Sequence, residues 1–350
     1  LINYLLFAAI GLISGIGVFV TVINRLMGRL VDGWKKTFIS GFLLIGILGG
    51  FVGAAIWLTS RQAGWVIILP LIFLLFCEGY RIWQTRRYKA SPPVEVHGPT
   101  RSILRPITTT DLQTYRYTVE IEDPPFERLR IAFVSDFHIN QTIPFSYYQM
   151  AIEQVNMTEP DVILVGGDYI TEREYIPLIS GLLTGLEARK GVYGILGNHD
   201  YWAAPDEVAA EVRGAGVTLL GDQIQRIGSG VGCEINLLGC EYPWGGIECI
   251  PDFKKEEFVL ALSHTGDHIY RLASHGVRAV FSGHYHAGQF QIPGLGPIFT
   301  PSSYGRRFSH GHYFVNGSHL FVSAGIGAGG PPLRVYCPPD FFVVDFLKSS

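Results

Sequence analysis

The chain divides by its pattern of apolar and polar positions before any single residue is weighed. Long apolar stretches come first, at about Tyr4–Ile23, Phe38–Leu58 and Trp65–Trp83. The first two contain no charge and approach the ~20 residues that a bilayer-spanning helix needs. The third carries Pro70 near its start and Glu78 near its end, where a carboxylate sits at the interface or pairs within a helical bundle. Small residues recur in the first two, at Gly11, Ser14 and Gly15, then Gly41, Gly46, Gly49, Gly50 and Gly53. They suit close approach of helix backbones in lipid. A cleaved leader or a buried hairpin would account for one such stretch, not for the succession. Residues 1–83 therefore read as three transmembrane helices.

Residues 84–113 break regular structure at Ser91-Pro92-Pro93, Gly98-Pro99 and Arg105-Pro106 and read as a linker. Beyond it, residues 114–350 alternate short apolar runs with helical periodicity. Strands are expected at Tyr115–Ile121, Leu129–Ser135, Val162–Val165, Val192–Leu196, Val217–Leu220, Glu234–Leu238, Phe258–Leu262 and Ala279–Phe281. Later ones follow at Ile298–Thr300, Tyr313–Val315, Leu320–Ser323 and Phe341–Phe346. Helices are expected at Tyr147–Met157, Ile176–Ala188, Pro205–Gly214 and His268–His275. Continuous runs such as Leu129–Ser135 are those of strands buried on both faces. The order, α/β first and mostly β later, predicts an α/β domain of two packed sheets with helices outside.

Charge adds two constraints. Residues 1–90 carry nine Lys/Arg against two Asp/Glu, whereas the remainder is acidic and holds all eleven histidines. An acidic soluble part argues against a nucleic-acid groove, so no nucleic-acid partner is expected. The first loop carries Arg25, Arg29, Lys35 and Lys36, and the segment after the third stretch carries Arg81, Arg86, Arg87 and Lys89. The intervening loop has Arg61 alone. The positive-inside rule then places the large domain on the cytoplasmic side. The cysteines, Cys77, Cys233, Cys240, Cys249 and Cys337, are widely spaced without a C-x-x-C pair and read as reduced thiols.

The candidate chemistry lies at the ends of the apolar runs: Asp136-Phe137-His138, Gly167-Asp168, Gly197-Asn198-His199-Asp200, Ser263-His264 and Gly283-His284-Tyr285-His286. Sites in open α/β sheets form outside the carboxyl ends of strands. Carboxylates, an amide and imidazoles without a motif cysteine suit divalent ions, Mn first, with Fe, Zn, Co or Ni as alternatives. Asp168, between glycine and an aromatic, is the natural bridge between two ions. Such a pair, ~3.5–4 Å apart, can hold a hydroxide and accept phosphoryl oxygens. The remaining histidines, His97, His268, His275, His310, His312 and His319, read as surface or core.

These motifs, in this order, resemble the calcineurin-like metallophosphoesterases over roughly Leu129 to Phe346. The resemblance implies a four-layer αββα sandwich and two divalent ions. One would be held by Asp136, His138, Asp168 and His286, the other by Asp168, Asn198, His264 and His284. It further implies that His199 protonates the leaving group and that Asp200 orients its ring. Ser302–Phe308, His310-Gly311 and Ser323–Gly327 resemble membrane-associated phosphodiesterases and UDP-diacylglucosamine pyrophosphohydrolases. Within that stretch, Arg306 and Arg307 are candidates to grip a substrate phosphate. Of the aromatic residues after the motifs, including Phe137, Tyr201, Trp202, Tyr242 and Trp244, some are expected in the core, and exposed ones suit an amphipathic substrate or a bilayer surface.

The expected function is hydrolysis of a phosphodiester or pyrophosphate bond by hydroxide held at the metals. The expected partners are the lipid bilayer and a phosphorylated small-molecule or lipid substrate such as UDP-diacylglucosamine. The alternatives are a tethered phosphodiesterase for a soluble nucleotide, and a non-catalytic membrane scaffold, which the complete motif set disfavours.

Overall fold

The computed structural model describes residues 1–26, 34–61, 66, 68–70, 72, 73, 75, 76, 79, 83, 88–230, 233–245, 250, 251, 253, 254 and 257–349. Two compact units emerge: residues 1–89 with 298–307, and residues 90–297 with 308–350.

The first unit contains α1 (Ile2–Leu26) and α2 (Trp34–Ser60). Each includes a segment long and apolar enough to cross a membrane, Ile2–Phe19 and Gly41–Ser60. Their contact uses the small residues of α1. A Cβ on Gly11 would lie 2.8 Å from the Phe51 carbonyl oxygen, and one on Gly15 would lie 3.1 Å from Leu48 Cδ2. A glycine at each place lets the helices approach. Among the described residues, a Cβ on Gly41, Gly46, Gly49, Gly50 or Gly53 of α2 would meet nothing within 4 Å. The third expected span, Trp65–Trp83, is described only at residues 66, 68–70, 72, 73, 75, 76, 79 and 83, and Arg29, Arg81, Arg86, Arg87, Cys77 and Cys249 lie outside the described residues.

Among the described residues, the second unit is built on two large sheets. The first runs β1 (Glu95–His97), β2 (Gln113–Ile121), β15 (Asp340–Lys348), β3 (Arg128–Val134), β4 (Val162–Val165), β5 (Val192–Gly194), β6 (Thr218–Leu219). The second runs β13 (Gly311–Val315), β14 (Ser318–Val322), β10 (Ala279–Ser282), β9 (Val259–Ser263), β8 (Cys233–Cys240), β7 (Ile224–Gly230). Strands β3 to β6 are mutually parallel, as are β8, β9, β10 and β14.

The period of two along a strand assigns each residue to a layer. Leu129, Ile131 and Phe133 of β3, Leu164 of β4, and Phe342, Val344 and Phe346 of β15 enter the core shared with Leu237, Leu260, Phe281 and Phe321 of the second sheet. The alternate residues Ala132, Val134, Ile163, Val165, Phe341 and Val343 enter a separate core with three helices. These are α3 (Phe145–Asn156), α4 (Leu178–Leu183) and α6 (Pro205–Gly214), with the short α5 (Asn198–Ala203) between the last two in sequence. On the second sheet, α7 (Ile269–Ser274) packs against β13 and β14. This is the arrangement of two packed sheets with helices outside that the strand pattern predicted.

The differences have local causes. The helix expected over Ile176–Ala188 is helical only at Leu178–Leu183, with Gly181 inside it and Gly185 just beyond, both poor helix formers. No strand forms at Ile298–Thr300. Pairing there is confined to β11 (Gln291–Ile292) with β12 (Gly296–Pro297), because Pro297 and Pro301 cannot donate to a ladder. Strands β1 and β7 were not expected. Both are sheet edges, with little apolar alternation to announce them. Residues 90–113, read as linker, count in the second unit, where β1 pairs with β2 and Ile107 bridges Val335.

On the β13–β14 hairpin, His312 Nε2 and His319 Nδ1 lie 2.9 Å apart. His312 also stacks on Phe321 with ring centroids 4.5 Å apart. Burial holds both imidazoles down to about 4, assisted at His312 by its neighbour His319. An unfolded histidine titrates near 6.5, so the unfolded chain binds more protons below that value and stability falls as pH drops from about 6.5 through about 4. The variant His319→Gln should show a shallower loss over that window by urea unfolding in detergent. An unchanged pH slope would rule out this pair as a source of acid sensitivity.

Candidate metal centre

Five strands deliver the polar motifs to one place. Asp136 and His138 follow β3, Asp168 follows β4, Asn198 follows β5, His264 follows β9, and His284 and His286 follow β10. The turns are tight. Asp136, His138, Asp168, His284 and His286 have φ of 52°, 43°, 55°, 66° and 50°. Side chains other than glycine's avoid this left-handed region, at a cost of about 1–3 kcal/mol each. The surrounding backbone holds them there. Asp136 N donates to Gly167 O at 2.9 Å, and His138 N donates to Asp168 O at 3.0 Å. Two glycines make the space: a Cβ on Gly197 would collide with the Asp168 carboxylate, and one on Gly283 with that of Asp136.

Among the described residues, side chains able to hold a cation form two groups that share Asp168. One is Asp136, His138, Asp168 and His286; the other is Asp168, His264 and His284. Within each, the ligand atoms lie within 4.8 Å of one another. His138 Nε2 is 3.0 Å from His286 Nε2 and 3.4 Å from Asp168 Oδ2, and His286 Nε2 is 3.4 Å from Asp136 Oδ1. In the second group, His264 Nε2 is 3.2 Å from Asp168 Oδ2 and 3.1 Å from Asn198 Oδ1, which brings the amide into the set.

The donor chemistry fits divalent ions. Two imidazole nitrogens facing each other at 3.0 Å have one proton at most to share, whereas a cation between them is attracted to both. His264 Nδ1 lies 2.6 Å from the Gly166 carbonyl oxygen. Donation there leaves the Nε2 lone pair for an ion, as a ligating histidine requires. Burial opposes charging His264, but Asp168 prevails and raises its imidazole to about 9, so an ion bound there would displace a proton. Burial pushes the Asp136 carboxyl up to about 7 and Asp200 up to about 8, with Asp168 adding to both. Burial also opposes ionisation of Asp168, but the imidazoles of His264, His199 and His138 prevail and hold it well below the usual range. Burial holds His138 down to about 3 and His286 well below its ordinary value, so both stay neutral and able to ligate. Buried carboxylates so close together need cationic compensation.

His199 stands beside the ligands. Its backbone N donates to Asp168 Oδ1 at 2.8 Å, and its ring packs edge-on to His138 at 4.6 Å and against Trp202 at 4.8 Å. Asp200 was expected to orient that ring. The bonds its carboxylate makes are to backbone: it accepts from Asp168 N and Gly197 N at 2.8 Å and from Tyr169 N at 3.0 Å. Trp244 covers the other side, 4.8 Å from the His284 ring and 5.4 Å from that of His264. Arg306 and Arg307 belong to the first compact unit, where the Arg307 guanidinium lies 4.2 Å above the Tyr88 ring. Cys337 is a buried thiol, and the buried Cys240 Sγ lies 3.4 Å from His268 Nδ1.

Sequence reasoning missed Arg334, which is fully buried. Its Nε donates to Gly327 O at 2.7 Å, and its terminal nitrogens reach Ala324 O at 2.5 Å, Gly325 O at 3.2 Å and His286 O at 3.4 Å. The loop it grips also meets Asp136, through Gly327 N to Asp136 O at 2.8 Å and Ile326 N to Ser135 O at 2.9 Å. Arg334 thus braces the two chain segments that carry Asp136 and His286. A single cation after Pro331-Pro332-Leu333 gave no signal of this.

Comparison with known proteins places these features. The family model described as calcineurin-like phosphoesterase matches residues 129–288. The chain is 28% identical over 252 residues to the uncharacterized metallophosphoesterase YkuE of Bacillus subtilis, an alignment covering 68% of this chain and 86% of that protein. It is 26% identical over 225 residues to phosphodiesterase YaeI of Escherichia coli, covering 62% of this chain and 82% of that one. It is also 26% identical over 307 residues to a zebrafish transmembrane protein with metallophosphoesterase domain, covering 77% of this chain and 68% of that one.

The brace makes a separable prediction. Lysine keeps the charge of Arg334 but not its fork of donors. Arg334→Lys should weaken metal binding at the Asp136–His286 group at least tenfold while the His264–His284 group keeps its ion, as read by two-site calorimetry on the metal-free protein. Equal affinities in parent and variant would reduce Arg334 to a general packing role.

Proposed function

We propose, with residues 129–288 as the calcineurin-like phosphoesterase domain of a metal-dependent phosphoester hydrolase, that this chain is a membrane-anchored enzyme. It cleaves a phosphodiester or pyrophosphate bond in a lipid-linked nucleotide such as UDP-diacylglucosamine. The observation that carries the reaction class is the pair of nitrogen–oxygen ligand groups sharing Asp168. Mn is the favoured ion, on ligand chemistry. Divalent ions held there neutralise charge on phosphoryl oxygens and make water acidic enough to react near neutral pH.

The chain's own residues do the rest. Asp136, His138, Asp168 and His286 hold one ion, and Asp168, Asn198, His264 and His284 hold the other. His199, fixed through its backbone to Asp168, presents its ring to the leaving oxygen and donates a proton there. Asp200 keeps the Asp168 and Gly197 loops in register through the amides it accepts. Trp202 and Trp244 form apolar walls beside the metals and limit access of bulk water.

Anchoring is supported by the two apolar helices and by the transmembrane character in the name of the zebrafish relative. The cationic loops favour a cytoplasmic domain. Protease added to sealed right-side-out vesicles should leave the domain intact and cleave it after permeabilisation. Cleavage before permeabilisation would reverse the orientation. A soluble nucleotide substrate is the second reading, favoured by the same aromatic walls, which suit a base as well as a lipid.

Hydrolysis of bis-p-nitrophenyl phosphate with added Mn tests the reaction. His199→Ala should lower the rate by about 10²–10⁴-fold, the usual worth of a general acid, while metal content stays at the parent level. Wild-type rates in that variant would remove His199 from the mechanism. Preference for UDP-N-acetylglucosamine over UDP-diacylglucosamine would sink the lipid substrate.

A further inference from the structure

The loop entering β2 exposes side chains that water disfavours. Ile103, Leu104 and Ile107 are 73%, 90% and 62% exposed. They are held outward by bonds around them. Leu104 N donates to Ser102 Oγ at 3.2 Å, Arg105 N donates to Ser102 O at 3.1 Å, and Tyr336 Oη donates to Ile103 O at 2.8 Å. Ile107 bridges Val335, and Val335 bridges Phe290. This backbone ladder leads to the β11–β12 hairpin, where Ile292 and Leu295 are 44% and 56% exposed.

Strand register places this rim. β2 runs parallel to β15, with Gln113 opposite Asp340. β15 runs antiparallel to β3, with Phe342 opposite Phe133. The chain therefore enters β2 at the same sheet edge where β3 delivers Asp136 and His138. The hairpin follows directly on the His286–Gly288 turn. Exposed aliphatic residues thus lie, on two connected segments, at the end of the sheet that carries the metal centre.

Charge identifies the occupant. Residues 98–110 include Arg101 and Arg105 and no carboxylate, and residues 289–297 carry no charge. The Arg105 guanidinium is 3.9 Å from Asp111, a weak exposed pair. Aliphatic tips flanked by arginine match an anionic bilayer interface, with the apolar groups below the headgroups and the cations among them. Residues 2–19 and 41–60 can each cross a membrane, and a chain tethered there needs only a weak second contact to stay docked.

We propose that this rim, Ile103, Leu104 and Ile107 with Ile292 and Leu295, docks on an anionic lipid surface and turns the metal centre toward substrate held in that surface. The inference rests on the membrane-anchored reading above.

The test uses the full chain in phosphatidylcholine–phosphatidylglycerol proteoliposomes. Leu104→Trp should add fluorescence that is quenched by lipids brominated near the headgroup. Phe314→Trp, at a position 63% exposed on β13, should add fluorescence that is not quenched. Replacing phosphatidylglycerol with phosphatidylcholine should reduce the Leu104→Trp quenching at least twofold. Absence of quenching at position 104, equal quenching at both positions, or indifference to lipid charge would each overturn the proposal. Hydrolysis of bis-p-nitrophenyl phosphate by the same preparations keeps the two readings apart. An inactive parent refutes the phosphoesterase reading, whereas an active Leu104→Trp preparation whose added fluorescence is unquenched refutes docking alone.

Discussion

The second unit depends on one electrostatic constraint: three carboxylates, Asp136, Asp168 and Asp200, share a space almost closed to water. Isolated, each would be costly to ionise there. The fold meets the cost in two ways. Backbone amides and imidazoles surround the carboxylates, and the ligand geometry is prepared for cations that complete the charge balance. The packed sheets serve this arrangement. Their parallel strands bring separate stretches of chain to one edge, and the aromatic core of Phe133, Phe281, Phe321 and Phe342 holds the two sheets against each other.

Strain at the ligands follows from the same constraint. To aim Asp136, His138, Asp168, His284 and His286 inward, the backbone adopts left-handed conformations that each cost energy. Glycines at 197 and 283 yield the volume, and the braces at Asp200 and Arg334 keep the turns from relaxing. Stability spent on geometry is the usual mark of a functional site.

Much of this was legible in the sequence because strands buried on both faces print as continuous apolar runs. Val162–Val165 and Pro205–Gly214 fall where the pattern put them. The candidate ligands could be proposed because each motif sits at the end of such a run. What could not be read is set by tertiary context. β1 and β7 are edges whose pairing owes little to apolar period. Arg334 is buried by segments far from it in sequence, and an arginine in a proline-rich loop reads as surface. The exposed tips of Ile103 and Leu104 were invisible for the opposite reason: a pattern shows which residues are apolar, not that a loop will hold them in water.

The Asp200 carboxylate has a consequence of its own. It accepts from Asp168 N, Tyr169 N and Gly197 N, so the turns after β4 and β5 are pinned to one buried carboxyl group. Asp168, common to both ligand groups, and Asn198, which belongs to one, are therefore registered to each other through a rigid polar rivet and not through any ion. The spacing between the ligand groups is written into the polypeptide. Metals can come and go at such a centre without the two halves having to find each other again.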